Sequence, residues 1–396
     1  MPTPLFALAL ASIALISSLA IHLFLPAIPA VKAEFAISDG LAQLTFSIGI
    51  FTLACSTVVY GSLSDRYGRR PVLLSGLGLF LAGSALSAVA WSLPALVVGR
   101  ILQSAGAGCA TTLVRSIARD AYGQDNLVKV IAYLMMFYTL GPMISPLVGG
   151  ILVDTLGWRA IFVFAVVLGG LIMAGAYAVI HETHTVRPTR FDAAGLVASH
   201  IEPFRNPRFA ALLLTTGFST GTFFVAGSAA AVIMKENLGR PASEFGLYFL
   251  LFPLGFLTGN LVSSRIGRRF GIETMVLAGS LLLAAAIVAQ AIVLLAGHVS
   301  PLSLFIPGFF ITFAQGISLP STQAGAIAML PNNAGTAAGL GVFTQNLIGA
   351  TVAQIYGLVA NGTVLPMVIV MLVSGTLSLI TGAVPYALAR RQIGRA

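Results

Sequence analysis

Two ionisable side chains, His22 and Arg100, lie well inside the apolar segments of this sequence, if cysteine and tyrosine are set apart. Histidine exchanges a proton near neutral pH because its unperturbed pKa is about 6.5. An arginine in an apolar segment costs about 2.5 kcal/mol or more in a bilayer, so it normally faces a partner or a water-filled cavity. We predict that His22 and Arg100 meet in one cavity, where His22 takes up and releases a proton.

The sequence leaves other interpretations of these two residues open. His22 could be a neutral histidine hydrogen-bonded to a neighbouring helix, or it could recognise a bound small molecule directly. Arg100 could extend to the outer surface, because about 9 Å of helix separates it from Pro94 at 1.5 Å per residue. The same count from Pro26 places His22 about 6 Å below the outer end of its segment.

The acidic residues all lie outside the apolar segments. Five fall in loops on one side, namely Glu34, Asp39, Asp154, Glu236 and Glu244. Seven fall on the other side, namely Asp65, Asp120, Asp125, Glu182, Asp192, Glu202 and Glu273. We expect no metal site, no cofactor and no enzymatic activity, since catalytic polar residues are not clustered. His181-Glu182-Thr183-His184 fits a solvated loop better than a metal site.

The elements that carry these residues are membrane helices. The chain of 396 residues is 57% hydrophobic and 8% charged, whereas soluble domains have about 25% charged residues. A bilayer core needs about 20 apolar residues per helix, so this length predicts an all-α membrane protein with twelve spans. The first six lie near 5–27, 41–62, 72–92, 94–117, 129–152 and 160–180. The second six lie near 208–233, 245–263, 272–296, 302–328, 336–359 and 365–388.

The basic residues predict the orientation. Sixteen of the 21 Lys and Arg residues fall on the side of the two termini, and the opposite loops hold Lys32, Arg159, Lys235 and Arg240. Because loops rich in Lys and Arg stay in the cytoplasm, both termini are predicted to be cytoplasmic. The net charge of +9 therefore reflects membrane topology and does not indicate nucleic-acid binding.

An internal repeat divides the chain. Asp65-Arg66-Tyr67-Gly68-Arg69-Arg70 recurs 199 residues later as Ser264-Arg265-Ile266-Gly267-Arg268-Arg269, each copy between the second and third spans of its half. The longest polar interruption lies between the halves. We predict two pseudo-symmetric six-helix bundles, residues 1–181 and 208–396, joined by a cytoplasmic linker at residues 182–207.

The first copy of this turn resembles the loop signature of the major facilitator superfamily. Its signature positions are Gly61, Asp65, Arg66, Gly68, Arg69 and Arg70. Arg100-x-x-Gln103-x-x-Gly106 is similar to a second family motif, with its glycine displaced. The resemblance implies two parallel six-helix repeats with a substrate site between them near the midplane. It also implies that Asp65 engages the neighbouring half and stabilises the outward-facing state. Independently, Gly61 should let two helices approach closely.

The fifth span resembles the signature of antiporters in this family. Its characteristic residues are Gly141, Pro142, Pro146, Gly149 and Gly150. Each proline removes a backbone hydrogen bond and the glycines permit tight contacts, so we predict a bent, closely packed helix on which the halves move. The signature favours an exporter over an importer.

The end of the first span resembles the bicyclomycin and chloramphenicol/florfenicol resistance branch of proton-coupled drug exporters, over the segment from Leu19 to Pro29. That branch usually has an aspartate, the expected proton carrier, where this chain has His22. The resemblance implies a monomeric exporter in a bacterial cytoplasmic (inner) membrane, driven by the proton gradient. The alternative is a facilitator or importer of a small metabolite, without proton coupling through the first span.

Other polar and aromatic residues in the spans are candidates for contact with the small-molecule substrate. The polar candidates are Tyr138, Gln315, Gln345 and Asn346, and the aromatic ones include Phe223, Phe252 and Phe343. Binding pockets are usually apolar with a few polar groups, which is the combination that these residues offer. Packing against neighbouring helices or lipid explains any single aromatic residue equally well.

The predicted topology has a direct test. In a chain without Cys55 and Cys109, we expect a cysteine at Tyr67 or Ile266 to react with a membrane-impermeant maleimide only after the cells are permeabilised. A cysteine at Asn361, in a predicted outer turn, should react in intact cells and is the control. Labelling of either arginine-rich turn from outside would contradict the topology.

Overall fold

The structure is a computed structural model that describes residues 4–183, 201–330 and 334–393. Within these ranges, the side chains of residues 124–129, 131–133, 135, 136, 138, 268, 334 and 391–393 are outside the description. The helices of the first half are α1 (Pro4–His22), α2 (Ile28–Phe35), α3 (Asp39–Tyr67), α4 (Arg69–Ala88), α5 (Leu93–Leu156) and α6 (Arg159–Val179). A 3-10 turn at Leu25–Ala27 joins α1 to α2.

The second half begins with a 3-10 turn at Glu202–Arg205. Its helices are α7 (Pro207–Glu236), α8 (Ala242–Phe249), α9 (Leu251–Phe270), α10 (Ile272–Leu295), α11 (Pro301–Ala328), α12 (Ala334–Val359) and α13 (Leu365–Ile393). Within the described ranges, twelve helical segments are long and apolar enough to cross a membrane. The prediction of an all-α membrane protein with twelve spans is confirmed.

The first span differs from the predicted segment. It runs from Pro4 to Phe35, and α1 ends inside it at His22. The sequence suggested that two prolines mark the outer end of this span. Instead, Pro26 lies at the start of the 3-10 turn and Pro29 at the start of α2. Proline is tolerated there because those N–H groups have no helical acceptor. The apolar segment therefore continues past Pro26, and the depth of His22 in the membrane stays a prediction.

The fourth and fifth spans lie in α5, which consists of two helices separated by a break at Gly123, where the sequence predicted a longer separating loop. The apolar segments lie at Leu93–Gly123 and Thr139–Leu156. Within α5 the non-helical backbone is at Gly123, with φ 68° and ψ 176°. Glycine adopts this positive φ without the steric penalty that a side chain would pay. Pro142 and Pro146 lie inside α5.

The second copy of the repeat matches the first in sequence, but the chain does not turn at the matching glycine. Gly68 ends α3 with φ 99°, whereas the matching Gly267 lies within α9. The chain turns instead at Gly271, where φ is 79°. Ser264, which replaces the aspartate of the first copy, bonds to the carbonyl of Leu261 in its own helix.

The contacts within the chain divide it into two compact units. The first unit is Met1–Phe191 with Pro241–Leu247, and the second is Asp192–Arg240 with Tyr248–Ala396. The described residues of the predicted linker are its first two and its last seven, while 184–200 lie outside the description. The boundaries of the two predicted bundles and of the linker stay predictions.

Close packing of α4 on α5 depends on glycines that face the opposite backbone. A methyl group at Gly106 would overlap the backbone nitrogen of Phe80, and one at Gly83 would overlap the backbone of Gln103. Glycine at such positions lets membrane helices approach closely. This contact holds α4 against the part of α5 that carries Arg100.

We therefore expect Gly106→Ala to lower the free energy of unfolding by about 1–3 kcal/mol, since an added methyl must displace backbone. Reversible unfolding in mixed detergent measures the effect. Gly170→Ala in α6, where a methyl would meet nothing within 4 Å, is the matched control and should change stability little. Equal stability of the two variants would contradict the packing.

Candidate functional site

Arg100 is buried in the first unit, with 1% of its surface exposed. Its Nη1 donates to the carbonyl of Ala20 at 2.8 Å and to Oε1 of Gln103 at 2.5 Å, and its Nε donates to the carbonyl of Thr45 at 3.1 Å. In the described part of the chain no carboxylate forms an ion pair with this guanidinium. The side chain therefore turns into the helix bundle and does not extend to the outer surface.

The end of α1 explains why an arginine binds there without an acid. The last four carbonyl groups of a helix have no intrahelical donor, and that of Ala20 is one of them because α1 ends at His22. Arg100 supplies the missing donor. Positive charge is also favoured at a helix C-terminus, where the helix dipole is negative.

Further bonds tie Arg100 to the neighbouring helices. Gln103 donates through Nε2 to the hydroxyl of Ser84 at 2.9 Å, and that hydroxyl donates to the carbonyl of Phe80 at 2.7 Å. The ring of Phe24 lies 4.6 Å from the guanidinium carbon, within cation–π range. The network thus joins α1, α3, α4 and α5 around one buried charge.

Gly49 in α3 makes room for this guanidinium. A methyl group there would lie 2.7 Å from Nη2 of Arg100 and 2.9 Å from the hydroxyl oxygen of Ser104. Both distances are shorter than carbon can approach nitrogen or oxygen. The position of Arg100 therefore depends on glycine at this place in α3.

His22 is the last residue of α1 and is 7% exposed. Its Nδ1 lies 3.2 Å from the carbonyl oxygen of Ser18 and 3.2 Å from the Ser18 hydroxyl. Arg100 binds the carbonyl of Ala20, two residues earlier, so the structure brings both predicted residues to the end of α1. A shared cavity and a proton-binding role stay predictions.

The glycines of the fifth span pack along α1 on both sides of His22. A methyl group at Gly141 would overlap the side chain of Ser18. One at Gly149 would lie 2.5 Å from the carbonyl oxygen of Leu23 and 3.0 Å from Pro26. The sequence predicted tight contacts for this span. The residues that contact the two glycines lie before and after His22, where α1 ends.

Gly150 faces the start of α8, whose residues Ala242–Leu247 belong to the first unit. A methyl group there would overlap the backbone of Ala242, the first residue of α8. One turn later, the carboxylate of Asp154 accepts hydrogen bonds from the backbone N–H groups of Ala242 and Ser243, at 3.0 and 2.7 Å. Asp154 thus caps the start of α8, a role that sequence reasoning missed because it treated this residue as part of an outer loop.

The aromatic candidates of the second unit lie together. Phe223 is close to Phe252, with ring centroids 5.9 Å apart, and both lie near Phe249. Phe252 is 1% exposed and also contacts Phe305, so it packs inside this cluster. Phe223 is half-buried. The cluster provides an apolar surface of the predicted kind, but contact with a substrate stays a prediction.

The polar candidates are more scattered. Gln315 donates through Nε2 to the carbonyl of Ser219 on α7 at 2.6 Å, and Asn346 bonds to the carbonyl of Val342 in its own helix. Phe343 and Gln345 are half-buried on α12. The side chain of Tyr138 lies outside the described residues. Substrate contact by these residues also stays a prediction.

The arginine-rich turn of the first repeat forms an ion-pair cluster around the buried Arg69. Arg69 is 2% exposed, and its Nη1 donates to Asp65 and to the hydroxyl of Ser64, both at 2.5 Å. Its Nε donates to Asp120 on α5 at 2.9 Å. Asp120 was assigned to a loop by sequence, yet it lies in the helix.

At Gly61 a methyl would meet Thr112 at 3.9 Å, an ordinary contact, so the close approach predicted there is not observed.

The side chain of Glu182 caps the N-terminus of α4, the helix that follows the arginine-rich turn. Its Oε1 accepts from the backbone N–H of Arg69 at 2.9 Å, and its Oε2 accepts from that of Arg70 at 3.3 Å. A side chain at Gly68 would overlap this carboxylate, so glycine is needed there for space as well as for its positive φ. Arg70 lies over the ring of Tyr177, and Arg66 over that of Tyr67. Sequence reasoning described Glu182 as part of a solvated loop and missed its capping role.

A second cluster joins the opposite ends of the helices. Glu34 accepts hydrogen bonds from the indole of Trp158 and from Arg159, whose other Nη donates to the carbonyl of Ala90 at 2.7 Å. Trp158 contacts Phe162 with ring centroids 6.1 Å apart, and Phe162 contacts Phe24 at 5.8 Å. A continuous series of rings therefore leads from this cluster to the ring that covers Arg100.

The twelve apolar helical segments of the described ranges, the arginine-rich turn between α3 and α4 and the buried charge at a broken helix agree with a membrane transporter. The chain belongs to the Major Facilitator Superfamily, whose sequence pattern matches residues 10–354. This superfamily consists of transporters rather than enzymes, and they generally need no cofactor.

Known relatives agree with this assignment. Multidrug resistance protein D of Escherichia coli is 26% identical over 341 residues, covering 86% of this chain and 85% of that protein. A bicyclomycin resistance protein homolog of Haemophilus influenzae is 23% identical over 381 residues, 93% of each chain. These relatives confirm the predicted drug-resistance branch at low identity.

Solved structures show the same fold. A bacterial homolog to the human lysosomal transporter Spinster, in an inward-facing and unoccupied conformation, has a TM-score of 0.73 at 16% identity, covering 98% of this chain and 96% of that one. A POT family transporter has a TM-score of 0.77 at 14% identity, covering 98% and 95%. The protein is therefore a multi-pass membrane transporter of the major facilitator fold.

The two carboxylates that bind Arg69 should differ in their contribution to stability. The side chain of Asp120 is 15% exposed and that of Asp65 is 51% exposed. Exposed ion pairs contribute about 0–1 kcal/mol, whereas breaking a buried pair costs about 3–5 kcal/mol. We expect Asp120→Asn to lower the free energy of unfolding at least twice as much as Asp65→Asn. A larger loss for Asp65→Asn in detergent unfolding would contradict this account.

Proposed function

We propose that this protein is a proton-coupled exporter of small, largely apolar, drug-like molecules in the bacterial cytoplasmic membrane. It works as a monomer, with both termini in the cytoplasm, and moves its substrate by alternating access between its two halves. His22 carries the coupled proton. The partners are then the substrate, protons and the lipid bilayer.

The observation that carries this proposal is the position of His22. It is a buried, titratable residue at the broken end of α1, and all twelve acidic residues lie outside the predicted span interiors. In the related branch an aspartate stands at this place, and histidine can replace it because protonation changes its charge near neutral pH. Discontinuous helices are a common way for transporters to place ion and substrate groups near the midplane.

Arg100 supports the same proposal. Its charge is fixed at the end of α1 by two carbonyl groups and Gln103, so it can interact with a protonated or neutral His22 from a constant position. Gaining a proton at His22 would place two positive charges at one helix end. Such repulsion gives proton binding a direct effect on the local structure.

The export direction and the substrate class rest on the relatives. Two of them are named for multidrug resistance and bicyclomycin resistance, and the antiporter signature of the fifth span is present in this chain. The apolar cluster around Phe223 offers a wall for such molecules, and Gln315 and Asn346 offer polar contacts. Susceptibility of cells with and without the gene, with bicyclomycin among the compounds, would identify the substrate.

His22→Gln tests the proton coupling. In proteoliposomes we expect the wild type to accumulate substrate up to about tenfold per pH unit of gradient, because one unit is worth about 1.4 kcal/mol per proton. The variant should lose this accumulation but retain exchange of labelled for unlabelled substrate, since glutamine keeps the polarity and cannot titrate. Exposed His298→Gln is the control and should behave as the wild type.

The outcome separates the two kinds of transporter. Gradient-driven accumulation by His22→Gln would show that another group carries the proton. Absence of gradient-driven accumulation in the wild type, with exchange intact, would favour a facilitator and would contradict the proposed function.

A further inference from the structure

One edge of the Arg100 guanidinium points away from its hydrogen-bond partners. The N–H groups of Nε and Nη1 bond to Thr45, Ala20 and Gln103. A guanidinium has five N–H donors, and the remaining two belong to Nη2. In the residues that the structure describes, Nη2 is buried and has no hydrogen-bond partner. Arg100 therefore keeps unused donors at a fixed place inside the first unit.

The hydroxyl of Ser104 lies at the same place. Ser104 follows Arg100 by one turn in α5 and is completely buried, at 0% exposure. Within the described ranges its Oγ also lacks a hydrogen-bond partner. A methyl group built on Gly49 would lie 2.7 Å from Nη2 and 2.9 Å from this Oγ. Because both atoms lie close to one point, a single acceptor atom is able to bridge them.

The surroundings of these donors define the chemistry of a ligand. In α3 the facing residue is Gly49, which has no side chain to pair with them. No carboxylate in the described part of the chain forms an ion pair with Arg100. A buried charge without a counter-charge is unfavourable in an apolar interior. The site therefore favours a ligand that accepts hydrogen bonds and is negatively charged.

We propose that Nη2 of Arg100 and Oγ of Ser104 form a binding site for a small inorganic anion such as chloride, between α3 and α5 beside Gly49. An anion accepts from the two N–H groups and the O–H group and brings no hydrogens of its own. A buried water molecule, in contrast, normally needs acceptors for its own hydrogens as well. Arg100 and Ser104 are 1% and 0% exposed, so the site is closed to large organic anions.

A bound anion completes the charge balance at the end of α1. Arg100 binds the carbonyl of Ala20 there, and the anion compensates the positive charge of the guanidinium. The anion-free and anion-bound forms of the protein then differ by one charge, which lies in the first unit. This inference is independent of the proposed function, because it requires neither a transported proton nor a direction of transport.

Thermal unfolding of the full-length protein in detergent tests the site, with chloride compared to gluconate at equal pH and ionic strength. A ligand that binds only the folded state raises its stability as the ligand concentration rises. We expect the unfolding temperature to increase with chloride and not with gluconate, which is too large for the closed site. Equal unfolding temperatures in the two salts would overturn the proposal.

Two variants assign the chloride effect to this site. Ser104→Ala should raise the chloride concentration needed for half of the effect about tenfold, the usual result of losing one hydrogen bond to a charged group. Ser116→Ala in the same helix is the matched control, because its hydroxyl already bonds to the carbonyl of Thr112. Gly49→Ala should abolish the chloride effect, since the methyl occupies the space beside both donors, and Gly170→Ala should keep it.

The variants also decide against the proposal if it is wrong. An unchanged chloride response in Ser104→Ala would show that chloride acts elsewhere on the protein. Ser104→Ala adds no atoms between α3 and α5, so it gives this answer even where Gly49→Ala does not fold. Anomalous scattering from bromide in crystals of the wild type locates the ion directly. A bromide in contact with Nη2 and Oγ supports the proposal, and bromide bound only at other places would overturn it.

Discussion

The hydrogen bond from Arg100 to the broken end of α1 is the interaction on which the first unit depends. A break in a membrane helix exposes carbonyl groups that lipid cannot satisfy, and each such group costs several kcal/mol. A buried guanidinium also needs acceptors. In this protein the carbonyl groups of Ala20 and Thr45 and the side chain of Gln103 accept from Nε and Nη1 of Arg100, while its buried Nη2 has no hydrogen-bond partner among the described residues. Two unfavourable features thus stabilise one arrangement of α1, α3 and α5.

The glycines make this arrangement sterically feasible. Gly49 leaves space for the guanidinium, and Gly83 and Gly106 bring α4 and α5 together around Gln103. Gly141 and Gly149 pack the later part of α5 on the two sides of His22. The polar network and the small residues are therefore parts of one structure, because hydrogen bonds between helices require the backbones to approach.

Sequence reasoning recovered the features that depend on composition and periodicity. The twelve spans and the isolation of His22 and Arg100 inside them follow from the cost of placing charge in a bilayer. It missed features that depend on three-dimensional contact. Pro26 marks a new helical segment rather than an outer end, and a break at Gly123 stands where polar residues suggested a longer loop. Glu182 and Asp154 bind helix N-termini 113 and 88 residues away in sequence, which no local pattern reveals.

The two units differ in where they place charge within the spans, and this affects how each responds to the membrane voltage. In the described spans of the second unit, the charged side chains lie near the ends, and the interior bonds join hydroxyl, amide and carbonyl groups, as between Thr215 and Thr381 or Gln315 and Ser219. Moving one charge through a potential of 100 mV changes its energy by about 2.3 kcal/mol, whereas neutral dipoles feel little of that force. The membrane voltage therefore acts chiefly on the half that contains Arg100. Rearrangement of the neutral hydrogen bonds in the second unit is therefore coupled only weakly to the energised state of the membrane.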